Sequence, residues 1–393
     1  MNPAARWSLL GYVLSVLPAS RWQRHGREAD RRVIVTFLCD RLPFRRQDAG
    51  GTLNRYLLVW VSILAVLSPP VGAQPFDAIH AFGDNFTATT GGPYFQGRWC
   101  NGLVWPEHLA AKWALPNQAR NNHAQGLADS QDILNQVTSL RGGGLEKSLC
   151  VVFAGAWDFG PYSHQEPDAS LWKNFSARVL ANNSNAVLTL YLKGARSVAV
   201  LNQPDFMRWP EFAALSNTNK TYFRSRTIEF NRALRSTMSD LQSSRADLML
   251  RMVDVFALFE VVLEQPWNYG FTETGISVIH DTRLTNKSFN GPGSNYLFWD
   301  PISITSKMQA MIADWIIGAT QGTQLFLAPF ATGFVLSGQR LLVGKTYTVQ
   351  SSTDALAWTD EHTQKALFSE SDLLSLTNAV TRSQFFRLQY SPD

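Results

Sequence analysis

Cysteine, long apolar runs and charge are all scarce in this chain, and each scarcity excludes something. Only three of the 393 residues are Cys, too few for the disulfide framework of a small secreted scaffold. No apolar run reaches the roughly 20 residues of a membrane-spanning helix. Charged residues make up 17%, which does not fit a highly charged disordered chain. No group of His, Cys, Asp and Glu has metal-ligand spacing. Neither a metal nor an organic cofactor is expected.

Apolar material is plentiful. Hydrophobic residues are 45% of the chain, with 13 Trp and 24 Phe. That supports a large core, and the length suits one large domain plus a small one. The net charge is +4, but the first fifty residues hold nine Arg against four acids, and Arg55 adds one more positive charge. From Gln74 onward the chain is therefore net −2. A nucleic-acid binder keeps its positive charge on the folded domain, so nucleic acid is not an expected partner.

Arg55 precedes a twelve-residue apolar run, Tyr56 to Leu67, then Ser68-Pro69-Pro70 and Val71-Gly72-Ala73. A positive flank, a short apolar core and small residues before a cleavage point describe a signal peptide over 53–73. The same run read as a membrane anchor is the alternative. Residues 1–52 read as an Arg-rich extension from a mis-called start, or as the cytoplasmic tail of an anchored protein. A signal peptide implies a secreted, periplasmic or cell-surface protein with no stable membrane anchor after cleavage. An exported Cys100–Cys150 pair could be oxidised. The apolar run at Cys150 favours a buried thiol there.

From Gln74 the pattern alternates. Apolar runs at 76–82, 150–154, 197–201 and 248–254 read as strands ending in polar turns. Amphipathic patterns at 104–113, 131–140, 223–241 and 306–317 read as helices. Buried strands alternating with helices imply a parallel sheet covered on both faces, a three-layer α/β/α domain over 74–322. In such folds the site lies at the carboxyl ends of the strands. From 323 to 393 short alternating segments separated by Gly, Ser and Asp turns read as a small all-β module. It resembles β modules appended to secreted bacterial proteins.

Several ordered blocks carry a more specific resemblance: "AFGDN" at 81–85, "GRWCNGLVWPEHLA" at 97–110, "NHAQGLA" at 122–128, "FAGAWDF" at 153–159 and "YLFWDPISIT" at 296–305. Over residues 78–318 the chain resembles the SGNH/GDSL esterases and lipases. The resemblance implies a flavodoxin-like parallel sheet and serine-dependent hydrolysis of carboxylic esters. A Ser after the first strand attacks, a His three residues beyond an Asp moves the proton, and Gly and Asn help the Ser amide hold the oxyanion.

Mapped onto this chain, the nucleophile position is Asn85 and the His position is Ser303. The oxyanion positions are Leu127, or Gly126 after a one-residue shift, and Trp157. Of the catalytic set only Asp300 remains. A carboxamide is not an activatable nucleophile, and a serine hydroxyl is no base near neutral pH. The expectation is a pseudoenzyme with lost or greatly weakened ester hydrolysis, which retains binding of an ester, acylated-polymer or glycan ligand. The alternative is an active esterase using non-standard residues, with His80, His108, His123, His164, His280 and His362 as available bases and Cys100 as a conceivable nucleophile. A purely structural protein with a filled cleft is a third reading. Trp157 could fill the emptied pocket, or join Phe159 in lining a groove. Asp300 could simply cap the following helix, with Ser303 or Thr305. Sequons occur at Asn85, Asn174, Asn182, Asn219 and Asn286, and matter only in a host that glycosylates.

Overall fold

A computed structural model describes residues 13–16, 33–38, 76–116, 119–163, 167–330, 333–342, 344–353, 356–367, 370–376 and 385–390. The chain forms two compact units. One is Gln74–Gly322 with Leu342–Gly344, and the other is Met1–Ala73, Thr323–Leu341 and Lys345–Asp393. The signal-peptide reading of 53–73 and His164 lie outside the described residues.

In the smaller unit, β1 (Val13–Val16) and β2 (Val33–Leu38) come from the Arg-rich leading segment. The larger unit is organised by four parallel strands: β3 (Ala78–Gly83), β4 (Ser148–Phe153), β5 (Ser197–Leu201) and β6 (Met249–Val253). They lie side by side in chain order, with Phe82 beside Val152, Val152 beside Val200 and Val200 beside Met252. Every residue of β4 is buried, as a strand covered on both faces demands. Asn122 forms a single parallel bridge to Ala81 on the outer side of β3. It thus marks the place of the fifth strand that a flavodoxin-like order would put there.

Helices cover the sheet. Helices α2 (Ser130–Ser139), α4 (Ala169–Leu192) and α5 (Asn217–Ser243) pack in series, as do α1 (Trp105–Lys112), α7 (Ser306–Gln321) and α6 (Val255–Glu264). A short α3 (Ala156–Ser163) follows β4. The helices start where side chains satisfy their free amides. Asp129, Asp168, Ser216 and Asp254 cap α2, α4, α5 and α6. All four expected strands and all four expected helices form. The pattern assigned no helix to 156–163, 169–192 or 255–264.

The remaining strands are antiparallel. β7 (Phe298–Asp300) and β8 (Ser303–Ile304) make a small ladder before α7. In the smaller unit β9 (Gln324–Phe330), β10 (Gly333–Gln339) and β13 (Glu370–Leu376) form one sheet. β11 (Thr346–Ser352), β12 (Thr359–Lys365) and β14 (Phe385–Tyr390) form another with β1 and β2, and β2 pairs with β14. Its core gathers Leu336, Tyr347, Val349, Phe386 and Leu388. This is the small all-β module. No helix among the described residues is long and apolar enough to cross a membrane.

Candidate active site

The carboxyl end of β3 delivers Gly83-Asp84-Asn85. Gln136 of α2 holds Gly83 from both sides, accepting from its N–H and donating to its C=O at 3.0 Å each. A Cβ on Gly83 would sit 2.5 Å from the Thr87 hydroxyl, so only glycine lets the chain turn this tightly. The next residues are pinned as well. Gln309 of α7 donates to the Phe86 carbonyl and accepts from the Trp105 amide. The Trp105 indole donates to Thr87. The loop after β3 is therefore tied to α1, α2 and α7.

Asn85 is only 2% exposed, and its Oδ1 accepts a hydrogen bond from the Trp157 indole. The nucleophile position and one oxyanion position are thus bonded to each other. Trp157 is half-buried. Phe159 is buried among Trp172, Phe175, Phe206 and Phe230. It cannot line a groove.

Beneath Asn85 lies Asp84, fully buried, with Oδ1 accepting from the Phe86 amide and Oδ2 unpartnered. Burial raises its pKa to about 7, and nearby Asp158 adds to that. Asp158 accepts from the Ser130 amide and hydroxyl at 2.7 and 2.9 Å, and pairs with Arg178. Burial raises its pKa too. Both acids serve as struts, since neither reaches the surface of the site.

Leu127 has a backbone φ of 63° and is 52% exposed. A left-handed backbone suits glycine and strains leucine, so Leu127 occupies a conformation that favours glycine. The one-residue shift to Gly126 has a separate explanation. A Cβ on Gly126 would lie 2.6 Å from the Trp99 indole, so Gly126 is required by packing.

Asp300 ends β7 and is largely buried. Its Oδ1 accepts from the Ile302 amide at 2.9 Å. The Tyr94 hydroxyl hydrogen-bonds to Asp300, and burial together with that carboxylate holds the phenolic proton more tightly than usual. Tyr94 was not among the expected site residues. Ser303 is 2% exposed and its hydroxyl has no partner. Asp300 does not cap α7. Asn101 accepts from the Ser306 amide at the start of that helix, while the Thr305 hydroxyl is turned back to the Tyr296 carbonyl.

The alternative bases fare differently. His108 Nε2 lies 3.1 Å from the Ser306 hydroxyl, within the reach of a base on a nucleophile. That hydroxyl donates to the Leu103 carbonyl at 2.7 Å. A carbonyl can only accept, so the serine proton is committed there and His108 becomes the donor. The pair staples α1 to α7. His280 is exposed and hydrogen-bonds to its neighbour Ser277, and His362 lies on exposed β12 beside Gln364. His80 and His123 bond to each other, and His80 sits within β3, three residues before its carboxyl end at Gly83, about 10 Å along the strand. Cys100 and Cys150 are free and buried, and burial raises each thiol to about 12. Neither is a thiolate near neutral pH. Among the described residues no three His, Cys, Asp or Glu side chains cluster as a metal would need. The sequons at Asn85 and Asn182 are buried, and Asn182 donates to the Ser130 hydroxyl.

Residues 79–316 match the family described as GDSL-like lipase/acylhydrolase. Among curated proteins, the chain is 22% identical to the thermolabile hemolysin of Vibrio parahaemolyticus serotype O3:K6 over 249 residues, 56% of this chain and 55% of that one. It is 26% identical to the GDSL esterase/lipase APG of Arabidopsis thaliana over 193 residues, 44% of this chain and 54% of that one. The chain therefore spans about half the length of these two relatives. A solved structure titled a possible lipase, from Chitinophaga pinensis DSM 2588, aligns with 61% of this chain and 95% of its own at 13% identity and a TM-score of 0.35.

Proposed function

Since this chain belongs to the GDSL-like lipase/acylhydrolase family, we propose that it keeps the family's fold without its serine-dependent ester hydrolysis. In this reading it is exported through the signal peptide and works by binding an ester, an acylated polymer or a glycan. The observation that carries the reading is the Trp157–Asn85 hydrogen bond. A carboxamide stands where the attacking hydroxyl belongs, and its acceptor oxygen is occupied by the residue at the oxyanion position. No proton acceptor faces it from Ser303, whose hydroxyl is buried and unpartnered. Chemistry that depends on an activated nucleophile and a base has neither at these positions. The half-buried Trp157 and the exposed Leu127 are the groups left to meet a ligand.

The second reading, an active hydrolase with non-standard residues, rests on His108 and Ser306. Turnover of short- and long-chain p-nitrophenyl esters separates the two. The expected result is a rate equal to buffer for the full chain, unchanged in Asp300→Ala and Ser306→Ala. A rate well above buffer that falls in either variant would sink the proposal.

A further inference from the structure

A second cluster of titratable side chains, apart from the old catalytic positions, lies on the outer side of β3. His80 Nδ1 and His123 Nε2 are 3.2 Å apart. Their rings are within 5° of parallel, yet their centroids are 5.5 Å apart. Rings whose nitrogens are much closer than their centres lie edge to edge, nearly in one plane. The contact is thus an N–H···N hydrogen bond, in which one ring donates and the other must keep a lone pair. Phe82, on the same face of β3 as His80, stacks on His123 with centroids 4.8 Å apart. Both imidazoles are half-buried.

This contact sits where the sheet is thinnest. The segment 119–128 lies in the place of a fifth strand but makes only one bridge. The His123 amide donates to the Ala81 carbonyl at 2.9 Å and the Gln125 amide to the Gly83 carbonyl at 3.1 Å. The Asn122 side chain reaches the Thr87 carbonyl at 2.7 Å. Two residues further on is Leu127, at the rim of the site.

We propose that the His80–His123 pair is an acid-released latch, which docks segment 119–128 against β3 at neutral pH and lets it go when both imidazoles are protonated. One proton added to the pair leaves a donor and an acceptor, so the bond survives. A second removes the last lone pair and sets two cations side by side. Among the described residues the rings' partners are each other and Phe82, none of them an acid. Besides His123, the charge acting on His80 comes from Arg120, which is also positive. The nearest elements carry Glu107, His108 and Lys112 on α1, Asp129 and Asp132 at α2, and the buried Cys150 thiol on β4. Burial first, then His123 and Arg120, lowers the pKa of His80 from 6.5 to about 4, and burial lowers that of His123. A base with a depressed pKa in the docked state stabilises docking above its free value and loses that stability as pH falls toward its docked value. For His80 the window runs from 6.5 down to about 4.

Amide hydrogen exchange on the full chain at pH 7.5 and 5.0, corrected for the intrinsic pH dependence of exchange, tests the latch. Protection of residues 119–128 is expected to fall about tenfold or more at the lower pH while β4, β5 and β6 stay protected. His123→Phe keeps a ring against Phe82 and leaves a single titrating imidazole, so its segment should be weakly docked at pH 7.5 and lose less protection at pH 5.0 than the parent's. His80→Gln gives the same test if the first variant fails to fold. Equal protection of the parent at both pH values would overturn the latch. So would an undiminished acid loss in the variants, or a loss spread through all four strands.

Discussion

Two sets of residues meet at the carboxyl ends of the parallel strands, and they differ in what they still do. The holding set is fully engaged: Gln136 on Gly83, Gln309 between Phe86 and Trp105, Asn101 on α7, and Ser130 on Asp158. In the proposed reading the reacting set has lost its chemistry: Asn85 accepts from Trp157, and the Ser303 hydroxyl is unpartnered. The groups that shape a site are not the groups that react in it. A fold can therefore persist after its reaction has gone, because packing and hydrogen bonding act on the first set alone.

The strongest way to break that contrast is to restore the second set. If the first set alone fixes the backbone, Asn85→Ser, Leu127→Gly, Trp157→Asn and Ser303→His in one chain should hydrolyse p-nitrophenyl acetate at least about 10³ times faster than the parent, within reach of what a working triad supplies. The Gly at 127 would also relieve a left-handed leucine. A well-folded quadruple variant with no turnover would show that the frame has shifted as well as the chemistry.

The opposite experiment removes a holding residue. Trp105 is fully buried and its indole bonds to Thr87. Trp105→Ala should cost about 3–5 kcal/mol of unfolding free energy in urea. A loss under about 1 kcal/mol would remove Trp105 from the set that holds the site.

The same contrast governs how much the sequence reveals. Continuous apolar runs made β4 and β5 legible, because a strand covered on both faces needs them. Helix α4 was not legible: its inner face carries the buried Asn182 and Asn183, which interrupt the apolar stripe. At the site, the expected positions are drawn from residue type and spacing. The pairings cannot be. Asn85 with Trp157, Tyr94 with Asp300 and Asn101 with Ser306 join residues far apart in the chain, and only the folded topology brings them together. The role assigned to Asp300 as a helix cap failed for that reason, since Asn101 reaches α7 first.

A third, smaller effect distinguishes the two ends of β3 by pH. The buried Asp84 carboxyl is raised from 3.8 to about 7, so the fold favours its neutral form. Its contribution to stability is complete below its unfolded pKa and is lost as pH rises through its folded value. Asp84→Asn should therefore be more stable than the parent at pH 8, by about 2–4 kcal/mol at most, and similar to it near pH 4. Chemical denaturation across that range checks it. The sign is opposite to that of the histidine pair, which weakens as pH falls, so each can be measured in the presence of the other.

The smallest effect is the most discriminating. In a working triad, loss of the carboxylate lowers turnover by about 10⁴ because it orients the histidine. Here the group three residues beyond Asp300 is a serine, and Asp300 instead accepts from the Ile302 amide and the Tyr94 hydroxyl. An asparagine keeps an oxygen that can accept from the same amide. Asp300→Asn should thus change unfolding free energy by about 1 kcal/mol or less and leave ester turnover at the level of buffer. A surviving tenfold fall in turnover would mean that Asp300 still orients a base, and the division between holding and reacting residues would have to be redrawn around it.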